Sequence, residues 1–132
     1  MIRRLGFSAL LAATLALAAC GGGGAASKPA APAGGAGGVQ TLTVQGTDQM
    51  RFNPSSLSAR AGSPIRVTLN DPGTTLVHDF TIDNVGGQRV HIEAPPNGSA
   101  SGEFTAPAGA YQFYCSQPGH REAGMQGTLT VS

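Results

Sequence analysis

The 132-residue chain has little of what many function classes require. It contains no tryptophan, and only 5% of its residues are aromatic and 11% charged. Residues 39–132 carry five arginines and seven acidic residues, which leaves this part of the chain near −2. A nucleic-acid-binding domain needs a basic patch, and none is present. We therefore expect no nucleic-acid partner.

Long hydrophobic runs are also scarce, and the clearest one lies near the N-terminus. The run from Leu5 to Ala19 follows Arg3 and Arg4 and is too short for a membrane-spanning helix. It ends in small residues before Cys20, a pattern that resembles a bacterial lipoprotein signal. We interpret residues 1–19 as the signal peptide and Cys20 as the lipidated residue. An ordinary secretory signal is the alternative, and the flanking residues fit twin-arginine export poorly.

A segment without large apolar side chains follows Cys20. Residues 21–38 include eight glycines and six alanines, so burial of apolar surface cannot offset the entropy of ordering them. Residues 20–38 are therefore predicted to form a flexible tether that spans roughly 20–25 Å. The remaining 94 residues, Val39–Ser132, suit one small domain. We expect this domain to be extracytoplasmic and anchored through lipid to the periplasmic or outer face of the cell membrane.

Cysteine is limited to two residues, Cys20 and Cys115. If Cys20 is acylated, Cys115 remains a free thiol in an oxidising compartment, and a free thiol there needs an explanation. His120 follows Cys115 by five residues, and Met125 follows His120 by five. Pro118 lies between Cys115 and His120. A thiolate, an imidazole and a weak thioether are ligands of copper electron-transfer sites. The spacing therefore predicts a metal-binding loop.

No helical repeat is visible beyond residue 39, whereas polar and apolar residues alternate in several short segments. Turn-forming residues such as glycine, proline and asparagine separate these segments. Alternation at this spacing predicts an all-β sandwich or barrel. The seven candidate strands are 41–45, 64–70, 76–82, 89–93, 101–105, 111–115 and 127–131.

His78 supplies the second nitrogen ligand in this interpretation. On an alternating strand it shares a face with Leu76, Phe80 and Ile82, so it should point into the interior. A hydrogen-bonded core histidine is the alternative. We expect the strand with His78 to neighbour the one that ends at Cys115. The predicted ligands suit copper better than zinc, because methionine is a poor zinc ligand; they are His78, Cys115, His120 and Met125.

The spacing Cys-x4-His-x4-Met, together with residues 50–54, 61–64 and 108–111, resembles the cupredoxins, the small blue copper proteins such as plastocyanin, azurin and auracyanin. The resemblance covers residues 39–132 and implies a Greek-key β-sandwich of about seven to eight strands. It also implies one copper ion that cycles between Cu(I) and Cu(II). His120 would be the surface port for electrons. Asp79 stands where plastocyanin and azurin have asparagine, and we expect it to accept from Ser116 and to favour Cu(II).

The predicted function is a membrane-tethered carrier of single electrons that is monomeric and not an enzyme. A catalytic copper protein would need more histidines, and only His91 is left, which we interpret as a solvated surface residue. The expected partners are respiratory or photosynthetic redox proteins such as cytochrome c, a quinol-oxidising complex or a terminal oxidase. The alternatives are copper delivery or storage, and a metal-free structural sandwich. Arg121 and Glu122 are expected on the rim of the site.

Overall fold

The computed structural model describes residues 37–132, so the predicted signal peptide, Cys20 and the tether up to residue 36 lie outside it. Within the described part, no helix has the length and apolar character needed to cross a membrane. Nine strands are present there: β1 Gln40–Thr47, β2 Arg51–Asn53, β3 Ser56–Ala59, β4 Ile65–Asp71, β5 His78–Val85, β6 Gln88–Ala94, β7 Gly98–Phe104, β8 Gly109–Tyr114 and β9 Gln126–Val131.

The strands form two sheets that enclose one core. One sheet has the order β2-β1-β4-β7 and the other the order β3-β9-β8-β5-β6. β1 runs parallel to β4, and β3 runs parallel to β9. The predicted all-β sandwich is confirmed, with nine strands rather than seven or eight. All seven candidate strands are present. The two strands that were not predicted, β2 and β3, have three and four residues and are too short to show an alternating pattern.

Alternation along the strands decides which side chains form the core. In β4, the inward residues Ile65, Val67 and Leu69 are all fully buried, as their spacing predicts. The rings of Phe80 and Phe113 stack with their centroids 4.6 Å apart, and Phe52 meets Phe113 edge-on at 5.2 Å. Phe80 lies two residues after His78, and Phe113 two residues before Cys115. The aromatic cluster therefore packs on the same face of the sheet as these two residues.

The pairing of β5 with β8 brings His78 and Cys115 to one end of the sandwich. The two strands are antiparallel neighbours, with Thr81 opposite Tyr114, which confirms the predicted adjacency. The start of β5 differs from the prediction. The strand begins at His78, and Leu76 is only half-buried before it. Both faces of the first part of β5 are buried, because Asp79 and Thr81 on the opposite face are also covered.

Candidate metal centre

The loop between β8 and β9 is closed by backbone hydrogen bonds between the residues with candidate ligand side chains. The amide of Cys115 donates to the carbonyl of Met125 at 3.1 Å. The amide of Met125 donates to the carbonyl of His120 at 2.9 Å. These bonds hold the backbone of all three residues together. The loop is thus a hydrogen-bonded frame for its side chains.

Turns inside this loop bring His120 back toward Cys115. The amide of His120 donates to the carbonyl of Gln117 at 3.1 Å, around a turn that contains Pro118 and Gly119. Gly119 has a φ of 82°, a left-handed conformation that glycine adopts without a steric penalty. From β2, the guanidinium of Arg51 donates to the carbonyl of Ala123. The loop is thus fixed both by its own turns and by the neighbouring sheet.

Three candidate ligands converge at the end of the sandwich. One donor atom from each of His78, Cys115 and His120 lies within 4.8 Å of the other two, and all three residues are buried. The Sγ of Cys115 is 3.4 Å from Nδ1 of His120. The two imidazole rings are 5.1 Å apart between centroids. Met125 is fully buried and is joined to both loop ligands through its backbone.

The hydrogen bonding of His78 fits a metal ligand. Both ring nitrogens of His78 are buried, and neither has a hydrogen-bond partner. Leaving a buried polar group unsatisfied is costly, so such groups are rare in folded proteins. Burial lowers the pKa of His78, which favours the neutral imidazole that binds metals. This observation argues against the alternative of a hydrogen-bonded core histidine.

The chemistry of the converging donors selects the metal. Burial raises the pKa of the Cys115 thiol, so the metal must displace a proton to bind the thiolate. Two imidazoles, one thiolate and a thioether form the donor set of a type 1 copper centre. Among residues 37–132, Cys115 is a free thiol, and no disulfide competes for it. The donor set therefore fits one copper ion.

Asp79 links the strand that carries His78 to the ligand loop. The amide of Ser116 donates to both carboxylate oxygens, at 2.9 and 3.1 Å, and the hydroxyl of Ser116 donates to Oδ2 at 2.9 Å. The backbone amide of Asp79 donates to Sγ of Cys115 at 3.4 Å. Asp79 is completely buried. Asp79 thus holds the loop through its carboxylate and donates to the sulfur of Cys115 through its backbone amide.

Sequence reasoning missed Thr81. The hydroxyl of Thr81 donates to Oδ1 of Asp79 at 2.7 Å and lies 2.8 Å from Nδ1 of His91. His91 is outside the cluster of candidate ligands, and its side chain is 42% exposed. It is nevertheless connected to Asp79 through Thr81. Residues 79 and 81 lie on the same face of β5, because side chains two residues apart on a strand point the same way. This spacing was the signal that could have identified Thr81 as a neighbour of Asp79.

The rim of the site carries charged and aromatic side chains. The guanidinium of Arg121 lies 4.0 Å above the centre of the Tyr114 ring, and Glu122 is exposed beside it. The hydroxyl of Tyr114 donates to Oδ1 of Asp83 at 2.6 Å. An open cleft of about 270 Å³ is lined by Tyr114, Arg121 and Glu122 and, further along the loop, by Pro118 and Gly119. Arg121 thus stacks on Tyr114, an interaction that the sequence did not indicate.

Comparison with known proteins gives consistent matches. Residues 39–132 match the family model of copper-binding proteins of the plastocyanin/azurin family. The copper-resistant cuproprotein CopI of Rubrivivax gelatinosus is 30% identical over 110 residues, which cover 70% of this chain. The chain spans 66% of the length of that relative, just under two thirds.

Two solved structures show the same fold. Auracyanin A, a blue copper protein of Chloroflexus aurantiacus, has a TM-score of 0.61 at 22% identity, over 72% of this chain and 100% of its own. The metal-binding domain of the Cu(I)-exporting ATPase CopA of Streptococcus pneumoniae has a TM-score of 0.62 at 15% identity. That match covers 80% of this chain and 97% of the domain.

Proposed function

We propose an electron-transfer role for this chain, which belongs to the plastocyanin/azurin family of copper-binding proteins and takes a single copper ion. The observation that carries the proposal is the unequal burial of the donors. His78, Cys115 and Met125 are completely buried, whereas 8% of His120 is exposed. A redox centre shielded from water, with one candidate ligand that keeps a small exposed edge, allows an electron to pass while the metal stays bound.

When bound, copper supplies one-electron chemistry between its Cu(I) and Cu(II) states. The protein's part is to hold the donors still. His78 is held by β5, and Cys115 and Met125 are joined through their backbones. Asp79 ties β5 to the loop through Ser116. Because these contacts join protein groups to one another, the same frame would serve both oxidation states, which would keep the structural change during transfer small.

The physiological setting is also a proposal. The N-terminal pattern around Cys20 supports an extracytoplasmic, lipid-anchored protein, with residues 20–38 as its tether. A tether that confines a domain near the membrane raises its effective concentration toward membrane-bound partners. We propose a monomeric, non-enzymatic carrier that exchanges electrons with cytochrome c, a quinol-oxidising complex or a terminal oxidase. Such transient redox partners use small interfaces.

Copper delivery or storage is the second candidate. It is favoured by the names of two similar proteins, a copper-resistant cuproprotein and the metal-binding domain of a Cu(I)-exporting ATPase. The burial of His78, Cys115 and Met125 favours electron transfer instead, since a metal that must be handed over is better held by accessible ligands. The two candidates differ in whether the metal leaves the protein.

Two measurements on the copper-loaded protein separate the candidates. First, the reduced protein is mixed with oxidised cytochrome c in a stopped-flow spectrometer, and the appearance of the blue Cu(II) band is followed. Second, transfer of copper to a colorimetric Cu(I) chelator is timed under the same conditions. An electron carrier oxidises within milliseconds to seconds and loses copper far more slowly. Rapid loss of copper with slow oxidation would establish delivery and refute the carrier.

A further inference from the structure

Two carboxylates meet at Gly73, in the segment between β4 and β5. Asp71 is the last residue of β4, and Asp48 lies in the turn between β1 and β2. A Cβ added to the buried Gly73 would overlap Oδ1 of Asp48 and would lie 3.0 Å from Oδ1 of Asp71. Both carboxylates therefore border the same small space, which exists because Gly73 has no side chain.

Hydrogen bonds fix the backbone around this space. The amide of Gly73 donates to Oδ1 of Asp71 at 3.0 Å, and the carbonyl of Gly73 accepts from the amide of Asn97 at 2.6 Å. The amide of Met50 closes the turn that carries Asp48 with a bond of 2.8 Å. The two acidic side chains are thus presented to each other by turns that are themselves held in place.

The second carboxylate oxygen of Asp71 is buried without a partner. Only 1% of Asp71 is exposed, and its Oδ2 has no hydrogen bond. The other buried side-chain atoms without a partner, among the residues that the structure describes, are the ring nitrogens of His78 at the copper centre. A carboxylate oxygen in this situation is costly unless a donor or a cation satisfies it. Oδ2 of Asp71 therefore points to a ligand from outside the chain.

The charges near Asp71 favour a cation over a neutral donor. Burial raises the pKa of the Asp71 carboxyl, and the carboxylate of Asp48 raises it further, whereas His78 and the amide of Gly73 lower it. Two like charges border one space, and a positive ion between them turns their repulsion into attraction.

The donor atoms select the kind of cation. Both side chains offer only carboxylate oxygens, which suit hard cations, whereas the copper centre offers nitrogen and sulfur. Calcium accepts carboxylates in one- or two-oxygen contact and tolerates irregular geometry, whereas magnesium demands a near-ideal octahedron. Asp48 is exposed, so water can reach this side of the space and complete the coordination. Calcium is therefore the best match.

We propose that Asp48 and Asp71 hold one hard divalent cation, calcium, at a site separate from the copper centre. The ion would join the end of β4 to the turn between β1 and β2 and so stabilise this end of the sandwich. The site goes beyond the proposed function, because it binds its ion whether or not the protein transfers electrons.

The first test is isothermal titration of the copper-loaded full-length chain with calcium chloride. We expect a dissociation constant of about 10⁻⁴–10⁻³ M, the range of extracellular calcium modules. Asp71→Asn and Asp48→Asn should each weaken binding at least about tenfold, since affinity follows the number of charged ligands. The control Asp83→Asn removes an exposed carboxylate elsewhere and should bind as the wild type does. Binding that survives in Asp71→Asn, or no binding by the wild type, would overturn the proposal.

Gly73→Ala tests the space itself without removing a charge. The added methyl group should push the exposed Asp48 carboxylate aside and weaken calcium binding about tenfold. Gly109→Ala is the matched control, because the nearest atom to its Cβ is 3.4 Å away on Tyr111. Circular dichroism of both variants checks that the fold is retained. An unchanged affinity in a folded Gly73→Ala protein would show that calcium does not bind at this space.

The second test is stability, which also reports on a proton as the rival occupant. About 10 mM calcium should lower the unfolding equilibrium constant of the wild type about tenfold, as measured by urea unfolding. Without calcium, Asp71→Asn should be more stable than the wild type, because it lacks the repelling charge, and calcium should not stabilise it further. A calcium effect of equal size in Asp71→Asn would refute the site.

Carbon-13 NMR of the Cu(I)-loaded full-length chain observes the Asp71 carboxyl directly. We expect calcium to shift its signal at pH 7, and magnesium to do so less. A carboxyl that is protonated at pH 7 and does not respond to calcium would show that a proton satisfies Oδ2, and would refute the proposal. None of these measurements uses electron transfer, so their failure leaves the proposed function intact, and failure of the carrier role leaves this site intact.

Discussion

The backbone amide of Cys115 donates to the carbonyl of Met125 at 3.1 Å, so the two sulfur-bearing residues of the site are joined at the base of the ligand loop. This bond closes the loop where β8 ends and β9 begins. A second bond from the amide of Met125 to the carbonyl of His120, at 2.9 Å, adds the imidazole to the same frame. The side chain of one ligand can therefore be changed without opening the loop.

Met125→Leu tests the axial position. Leucine fills a similar volume in the core, so the protein should fold and keep copper. Loss of the weak thioether donor should favour Cu(I) by about tenfold, which raises the potential by about 59 mV. Voltammetry of the copper-loaded variant measures this shift. Met50→Leu is the matched control, because Met50 packs against the core from the surface and should leave the potential unchanged. A Met125→Leu protein that cannot hold copper would refute the axial role.

Cys115→Ser tests the thiolate ligand. The intense visible colour of a type 1 centre comes from the copper–thiolate bond, and a hydroxyl in that place cannot produce it. We expect the blue absorption to disappear completely, with at most a pale, ordinary Cu(II) spectrum. Visible absorption and EPR after addition of Cu(II) check this. The control is Cys20→Ser, which makes the same exchange outside the domain and should leave the protein blue. A Cys115→Ser protein that is still blue would refute the assignment of Cys115 as a ligand.

Gly46→Ala tests how closely β1 supports His78. A Cβ at Gly46 would lie 2.9 Å from Cβ, Cγ and Cδ2 of His78, closer than side chains normally approach. The ring must move, and overpacking of this kind destabilises a fold by about 1–3 kcal/mol. We expect lower copper affinity and a lower urea midpoint. The control is Gly109→Ala, where the nearest atom, on Tyr111, is 3.4 Å away. Equal effects in both variants would contradict the specific support of His78.

Asp79→Asn tests the buried charge beside the sulfur. An asparagine can still accept from the amide of Ser116, so the loop should stay attached, but the negative charge is lost. Cu(I) should gain about tenfold relative to Cu(II), a rise of about 59 mV. Asp83→Asn removes a charge from the same face of β5 at an exposed position, and should shift the potential much less. If both variants shifted the potential equally, a specific role of Asp79 would be excluded.

The pH dependence of the metal-free protein follows from His78. Burial lowers its pKa in the folded state, so the unfolded chain binds the proton more readily below a pH of about 6.5. Since stability rises with pH wherever the unfolded state binds more protons, the free energy of unfolding should fall as the pH drops below that value. Urea unfolding at several pH values measures the slope. His78→Gln should flatten it, and an unchanged slope would assign the effect to another group.

Much of the fold can be predicted from local patterns in the sequence. Alternation in Ile65, Val67 and Leu69 identifies a strand and its buried face, because successive side chains of a strand point to opposite sides. The same rule fails at the start of β5, where Asp79 and Thr81 are buried on the second face. Their burial depends on the loop at Ser116 and on the neighbouring strands. The alternation within one strand cannot predict this burial, since the residues that cover Asp79 and Thr81 lie far away in the chain.

The candidate ligand loop is predictable from sequence, because Cys115, His120 and Met125 lie within eleven consecutive residues and their spacing reflects a local turn. The alternation around Phe80 and Ile82 likewise predicts that His78 lies on an apolar strand face. The distant groups around these residues are visible only in the folded chain: Gly46 lies against His78, Arg51 donates to the loop, and His91 is linked through Thr81 to Asp79. These contacts depend on the register between strands, which is set by the packing of the whole sandwich.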